Sequence, residues 1–414
     1  MGDLMTSIGH IAEIFDGPHA TPIKTDVGPI FLSISSLERG RLDLSKSARL
    51  SEEDFKKWTK RVTPRKGDLL FSYETRLGEA ALMSDGVRAC LGRRMGLLRP
   101  RSDKVIPEYL LYAYLSPAFQ QTIVANTITG ATVDRIALNE MSDFPIRIPG
   151  MDEQKKVADL LKNIDAKINC NNRINAELEA MAKTLYDYWF VQFDFPDTNG
   201  KPYKSSGGKM VYNATLKREI PAGWVDSSVL AVADLLGGGT PTKKKPEYWS
   251  GHIPFFTPTD ADGTIFKFST TDYITNEGLK GSSTKLFGKH TVFITARGSV
   301  GRLVLAGVDM AMNQSCYALR TKAGISHVFL FFLAKELIHH LQVKSSGSVF
   351  DSIVSNDIEL TKLAIPKGEL IEKFAAVVEP AFEKIANNTK ENQQLAQLRD
   401  WLLPLLMNGQ VTVA

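Results

Sequence analysis

This chain carries two copies of one pattern, and that doubling limits its fold more than any other feature. Gly130, Asp134, Ile136 and Asn139, followed by Ile148-Pro149, return as Gly347, Asp351, Ile353 and Asn356, followed by Ile365-Pro366. The offset is 217 positions throughout, without a gap. Each copy runs on into a helical pattern in the same register, so that Val157, Leu161, Ile164 and Ile168 correspond to Phe374, Val378, Ala381 and Ile385. A repeating unit of about 200 residues is too long for a solenoid, whose period is roughly 20–50. It implies two similar domains, each followed by a spacer helix, and suits a partner with two similar sites.

The 414 residues, 43% of them apolar, leave room for such cores. Residues 1–150 alternate short apolar strands (29–34, 68–73, 80–83) with Gly, Pro and Asp turns, interrupted by one helix at 107–115. Residues 213–367 repeat the order, with strands at 253–256, 291–295 and 303–305 and a helix at 328–337. Local matches include Thr21-Pro22 with Thr240-Pro241, Gly28 to Ile30 with Gly251 to Ile253, and Arg76 with Arg297. The expected fold class is therefore α+β: two similar mixed α/β domains in tandem, separated and joined by two long helices. The boundaries follow as a first domain 1–150, a central helix 151–192, a turn-rich linker 193–212, a second domain 213–367 and a C-terminal helix 368–414.

Stepping alternately by four and three from Val157 gives Leu161, Ile164, Ile168, Asn171, Asn175, Leu178, Ala182, Leu185 and Trp189. The same steps from Phe374 give Val378, Ala381, Ile385, Asn388, Asn392, Leu395, Arg399, Leu402 and Leu406. Both are heptad seams that turn polar at the centre, each with two asparagines. In an antiparallel coiled coil, Asn171 falls opposite Asn392 and Asn175 opposite Asn388, since both pairs of numbers sum to 563. A buried Asn can satisfy another Asn but not a Leu, so this layer is expected to fix the register. Each seam should be about 50 Å long at 1.5 Å per residue, more than the roughly 34–36 Å of one turn of B-DNA. The bland alternative is that each helix covers its own domain and the asparagines face water.

Catalytic chemistry is not legible. Adjacent His339 and His340 point about 100° apart on a helix and lack a metal-binding spacing. Gly237 to Thr240 lacks the lysine of a phosphate-binding loop and reads as a flexible turn. Asp143 with Glu153 to Lys155 resembles a nuclease cluster only loosely, because acids are favoured in the first turn of any helix. Three dispersed cysteines, Cys90, Cys170 and Cys316, suggest neither a disulfide framework nor a zinc cluster and fit a reducing cytoplasm. No apolar run has the length of a membrane span. Met1 to Thr6 fits the loose myristoylation pattern, which short sequences match by accident.

Binding chemistry is better represented. The net charge of +4 permits contact with nucleic acid without demanding it. Lys243, Lys244 and Lys245 lie close to Tyr248 and Trp249 and to Thr257 and Thr259, a mixture able to hold phosphates. His19 and Lys24 occupy the matching loop of the first copy. Arg76, Arg93 and Arg94 in the first domain, and Arg297, Asn313 and Gln314 in the second, are of types that contact guanine or adenine with two hydrogen bonds. No metal ligands are expected.

The run Tyr188-Trp189-Phe190-Val191-Gln192-Phe193-Asp194-Phe195-Pro196, continuing through Asn199-Gly200-Lys201-Pro202-Tyr203 to Ile220-Pro221-Ala222-Gly223-Trp224, resembles the centre of the specificity subunit of type I restriction-modification enzymes. Gly239 to Pro241, Tyr248 to Pro254, Phe15 to His19 and Gly67 to Leu70 are also similar to that family, and the resemblance spans essentially the whole chain. It implies two target recognition domains that read the halves of a bipartite, asymmetric double-stranded DNA site, with the helices as a ruler. It further implies that two methyltransferase subunits dock on this chain and bring S-adenosylmethionine, while motor-nuclease subunits bring ATP and Mg. The chain itself would be non-catalytic and bind no cofactor. The rival readings are a free-standing DNA-binding regulator and an interaction scaffold built on the coiled coil.

Overall fold

The computed structural model describes residues 5–130, 133–344 and 351–413. Most of the Met1–Thr6 pattern, and Gly347 of the repeat, lie outside the described residues. The chain divides into two compact units: residues 1–168 with 394–414, and residues 169–393.

At the centre of the first unit is an antiparallel sheet ordered Ala12–Asp16, Met95–Pro100, Leu69–Ser72, Ala80–Leu82. The second unit orders Ala233–Gly237, Cys316–Thr321, Val292–Thr295 and Leu303–Ala306 in the same way, and adds Phe266–Lys267 parallel to the last strand. The first unit has a single parallel bridge, Gly40 to Ala81, where that added strand would lie. Strand residues alternate between two faces, and here both faces are covered. Leu69 and Phe71 join a core with helix Pro107–Leu115, while Leu70 and Ala81 join another with Leu32 and Leu37. Val292 and Ile294 likewise face helix His327–Lys344, and Phe293 and Val304 face Phe256 and Met312. Burial on both sides explains why these strands read as unbroken apolar runs.

Secondary sheets repeat too. Thr25–Phe31 pairs in parallel with Ala89–Cys90, as Trp249–Phe256 does with Ala311–Met312, and each long strand bulges against its other neighbour. Met5–Ser7 closes on Pro145–Arg147 as Val225–Ser227 closes on Leu363–Ile365. The repeat motif has a fixed job: Ile136 N donates to Tyr73 O at 2.8 Å, and Ile353 N donates to Ala296 O at 2.9 Å. Both isoleucines are buried, which pins the motif to the loop leaving the third strand of each sheet.

Several expectations need correction. The first unit has more than one helix ahead of residue 151: Glu52–Trp58 and Pro117–Ala125 accompany Pro107–Leu115. Ser51 and Ser116 accept hydrogen bonds from Asp54 N and Phe119 N as N-caps. Gly237 to Thr240 is no flexible turn: a Cβ on Gly238 would meet Asn313 O at 2.2 Å, and one on Gly239 would meet Ser283 Oγ at 2.1 Å. The turn-rich segment after residue 192 is held together by its own contacts. Asp194 accepts hydrogen bonds from Ser205 N and Oγ, Phe195 stacks on Tyr203 and Trp224, and a hairpin of Met210–Asn213 with Arg218–Pro221 follows.

The central helix is α-helical over Met151–Tyr186 and ends in a π-helical turn, Asp187–Val191; the C-terminal helix spans Gly368–Met407. Within the second unit they run antiparallel. Asn171 Nδ2 donates to Asn392 Oδ1 at 2.9 Å and Asn388 Nδ2 to Asn175 Oδ1 at 2.8 Å. Asn172, Thr389 and Glu391 extend the layer, which the heptad steps alone miss. Asn171 and Asn388 are each only 1% exposed, so their amides depend on these partners. In the first unit Arg399 donates to Asp165 Oδ1 at 2.7 Å, which accounts for a charge on the seam.

The loosely nuclease-like acids are not gathered. Gln154 is buried and ties Ile106 N, Lys104 O and Pro149 O, while Glu153 pairs with Arg147 at 3.3 Å. Among the described residues no cluster of His, Cys, Asp and Glu is arranged to hold a metal ion, and no helix is long and apolar enough to cross a membrane.

Candidate nucleic-acid interface

Antiparallel pairing brings three chain segments to one end of each central sheet. In the first unit these are the segments after Asp16, after Ser72 and before Met95; Gly17 N donates to Met95 O at 2.9 Å and Tyr73 N to Arg94 O at 3.2 Å. In the second they follow Gly237 and Thr295 and precede Cys316; Ala296 N and Arg297 N both donate to Ser315 O, at 2.8 and 3.2 Å.

Strand pairing makes the two corners superposable residue by residue. Ser72 faces Met95 as Thr295 faces Cys316, so Arg94 corresponds to Ser315 and Arg93 to Gln314. Glu74 bridges to Arg135 as Arg297 bridges to Ser352, so Arg297 occupies the place of Glu74. The match of Arg76 with Arg297 suggested by sequence is therefore two residues out.

The side chains at these positions differ in how free they are. Arg76 Nη1 donates to Ile34 O at 3.0 Å and Nη2 lies 3.3 Å from Glu79 Oε1, so its guanidinium braces the loop. Arg94 pairs with Glu74 at 2.9 Å and holds a left-handed backbone, φ 71°. His19 lies 3.5 Å from Asp16 and edge-on to the Tyr73 ring. Arg93, Lys24 and Arg297 are exposed and make no side-chain hydrogen bond or ion pair among the described residues. Tyr73 is buried, its hydroxyl lacks a partner among the described residues, and burial ahead of the neighbouring Glu74 and Asp16 pushes its pKa up to about 12.

In the second unit Asn313 Oδ1 accepts from Ser315 N at 3.0 Å and shapes the turn, leaving Gln314 exposed at its tip. Thr240 Oγ1 donates to Gln314 Oε1, which orients the amide. Thr257 Oγ1 bonds Asp260 and Thr259, capping the short turn Pro258–Asp260. The lysine loop is held by aromatic side chains: Lys243 Nζ sits 6.0 Å from the Trp249 ring, and Lys245 Nζ 4.9 Å from that of Tyr248. Trp249 Nε1 anchors the loop by donating to Thr242 O at 3.2 Å, and Lys244 is exposed. Such cations on aromatic supports suit a phosphate backbone. Tyr73, Glu74 and Thr240 belong to these corners and were not among the residues picked out by type; aligning the copies by strand rather than by like residues finds them.

The family model for the type I restriction modification DNA specificity domain matches residues 24–180 and again 221–397. This chain belongs to that family. Among its relatives, the type I restriction enzyme MjaIX specificity subunit of Methanocaldococcus jannaschii is 26% identical over 88% of this chain and 82% of its own length. The HindI specificity subunit of Haemophilus influenzae is 24% identical over 84% of this chain and 87% of its own. The crystal structure of the S subunit of a type I restriction-modification system from M. genitalium shares the fold, with a TM-score of 0.55 at 15% identity, covering 97% of this chain and 95% of that one. Each matched segment takes in strands of one unit and part of a long helix.

Proposed function

We propose that this chain is the DNA sequence-recognition subunit of a type I restriction-modification complex, with each unit reading one half of a bipartite, asymmetric target. The observation that carries this reading is one sheet-and-corner frame built twice, with different hydrogen-bonding side chains at matched corner positions. The corner residues and the lysine loop are the DNA-contacting groups, and the asparagine layer sets helix register. Residues 1–150 and 213–367 act as the recognition domains, the segments 151–192 and 368–414 as spacer helices, and 193–212 as the junction.

The chain performs no chemistry in this scheme. Two methyltransferase subunits dock on it and bind S-adenosylmethionine, and motor-nuclease subunits use ATP and Mg, all in the cytoplasm. An apolar groove between the helices of the second unit, lined by Leu178, Met181, Leu185, Tyr188, Val377 and Ala381, supports docking of a protein partner; Met181 and Val377 are 68% and 58% exposed.

The test is methylome sequencing of a methylation-free host that expresses this chain with its neighbouring methyltransferase gene, beside a control lacking this chain. A split motif with N6-methyladenine in both halves is expected. No new methylation from a well-expressed complex would turn the reading toward a free-standing DNA-binding regulator or an interaction scaffold.

A further inference from the structure

The two corners differ at one tip position in a way that general base-recognition chemistry can interpret. Arg93 and Gln314 stand at the same place in the frame, each two residues before the strand residue that pairs with Ser72 or Thr295. Both turns are backed by main chain. A Cβ on Gly92 would lie 1.9 Å from Leu32 O, and Asn313 N donates to Phe256 O at 3.0 Å. The tip side chains are therefore presented from fixed backbone rather than from a loose loop. A site that must discriminate needs that rigidity, because a reading side chain has to be held near its productive geometry.

The chemistry at the tip is specific. Arginine offers two parallel N–H donors that match the O6 and N7 acceptors of guanine in the major groove. Arg93 is exposed and, unlike Arg76 and Arg94, makes no side-chain hydrogen bond or ion pair among the described residues, so the fork is available. Glutamine offers one acceptor and one donor, matching adenine N6 and N7. Thr240 donates to Gln314 Oε1 and uses one of its two lone pairs. The second lone pair and the NH2 group take no hydrogen-bond partner among the described residues on this exposed side chain, which leaves the acceptor and donor that adenine requires. Beside Arg93, the buried Tyr73 hydroxyl has no partner among the described residues, and a buried polar group in that state calls for a further partner.

From this geometry we infer that Arg93 and Gln314 are equivalent specificity-determining residues, Arg93 reading a guanine in the half-site of the first unit and Gln314 an adenine in that of the second. The inference rests on the proposed function and adds the residue and base class within it. Glu74–Arg94 and Thr240 are positioning groups: the first holds the turn, and the second orients the reader.

The test exchanges the readers in the assembled complex. Arg93→Gln and Gln314→Arg are each expressed with the methyltransferase partner, and the methylated motif is sequenced beside that of the unaltered chain. Arg93→Gln is expected to change or relax one guanine position in one half and leave the other half intact; Gln314→Arg is expected to change one adenine position in the opposite half. Competition binding of the purified complexes to oligonucleotides altered at that position should show discrimination reduced roughly 5- to 150-fold. An unchanged motif in both exchanged complexes overturns the inference while leaving the recognition role intact, since the unaltered chain still directs methylation. If an exchanged complex directs no methylation, the binding series on Arg93→Ala and Gln314→Ala decides. Weakening that is equal for every base at every position marks a phosphate contact and overturns the inference; weakening confined to one base position supports it. Failure of the recognition role shows differently, as no motif even with the unaltered chain.

Discussion

At the corner of its central sheet the first unit ties Arg94 to Glu74, whereas the second leaves Arg297 open beside Ser315. The frames are the same to the level of individual strand pairs, yet charge has changed places across the corner. The second unit adds a cationic loop on aromatic supports where the first has His19 and Lys24. A duplicated fold thus keeps what buries apolar surface and diverges where side chains meet solvent. The difference also shows that an arginine in sequence is no measure of an arginine available for binding: Arg76 and Arg94 serve the loop, while Arg93 and Arg297 do not.

The comparison can be broken in several ways. The largest effect is expected in the cores. Phe374 is fully buried against Tyr186, Trp189 and Phe190, while its counterpart in the first unit, Val157, is a smaller buried side chain. Phe374→Ala should cost the second unit about 3–5 kcal/mol, and Val157→Ala should cost the first unit less. Hydrogen exchange resolved by unit would show this, and equal losses would mean that the shared seam is not anchored unequally.

Acid should separate the units next. His290 and His327 stack 4.0 Å apart in the second unit; burial first, then His290 and Lys289, lowers the pKa of His327 to about 4, and burial also lowers that of His290. Glu379, 3.8 Å from His327, is the opposing charge. The unfolded chain takes up these protons near pH 6.5 and the folded unit resists them, so stability is full above that pH. It falls as the pH drops from 6.5 towards 4, by up to about 3 kcal/mol for His327. Denaturant midpoints of the full chain across this range should decline, and His327→Gln should flatten the decline.

The asparagine layer comes third. Asn388→Ala leaves Asn175 Oδ1 without its donor and should cost about 1–3 kcal/mol, whereas replacing Asn175 and Asn388 together with leucine should recover most of it. A double-mutant cycle by chemical denaturation reads the coupling, and additive losses would remove any special role for the layer. Smallest is the change at one lysine: Lys244→Ala in the assembled complex should reduce the slope of log affinity against log salt by about 0.9 and weaken all sequences alike. An unaltered slope would separate this loop from the phosphate backbone.

Much of this was legible because periodicity survives divergence. The heptad steps trace both long helices, and the apolar runs locate two strands of each central sheet to within a residue or two, while Ala12–Asp16, Met95–Pro100, Ala233–Gly237 and Cys316–Thr321 went unread. Helix Pro117–Ala125 escaped because Ser116-Pro117 reads as a break, although a serine cap followed by proline in the first turn is equally a start. The glycine run at 237–239 suggested freedom, but close approach of Asn313 to Gly238 and of Ser283 to Gly239 gives those two the opposite role. At the candidate interface, residue type pointed to arginines, but only strand register shows that Glu74 and Arg297 are counterparts. Tyr73 escaped because a tyrosine at the end of an apolar run signals core, and nothing in sequence reveals that its hydroxyl ends up buried without a partner.

The turn at Gly92 has a consequence for the lineage as well as for the molecule. Because Leu32 blocks any side chain at residue 92, drift there is closed, while the exposed neighbour at 93 touches nothing on which folding depends. Proteins persist near a stability threshold, and substitutions that spare the fold are the ones selection can sample freely. On the proposal that residue 93 reads a base, a corner locked in its main chain and open in one side chain lets a lineage try new targets at almost no risk to its own folding.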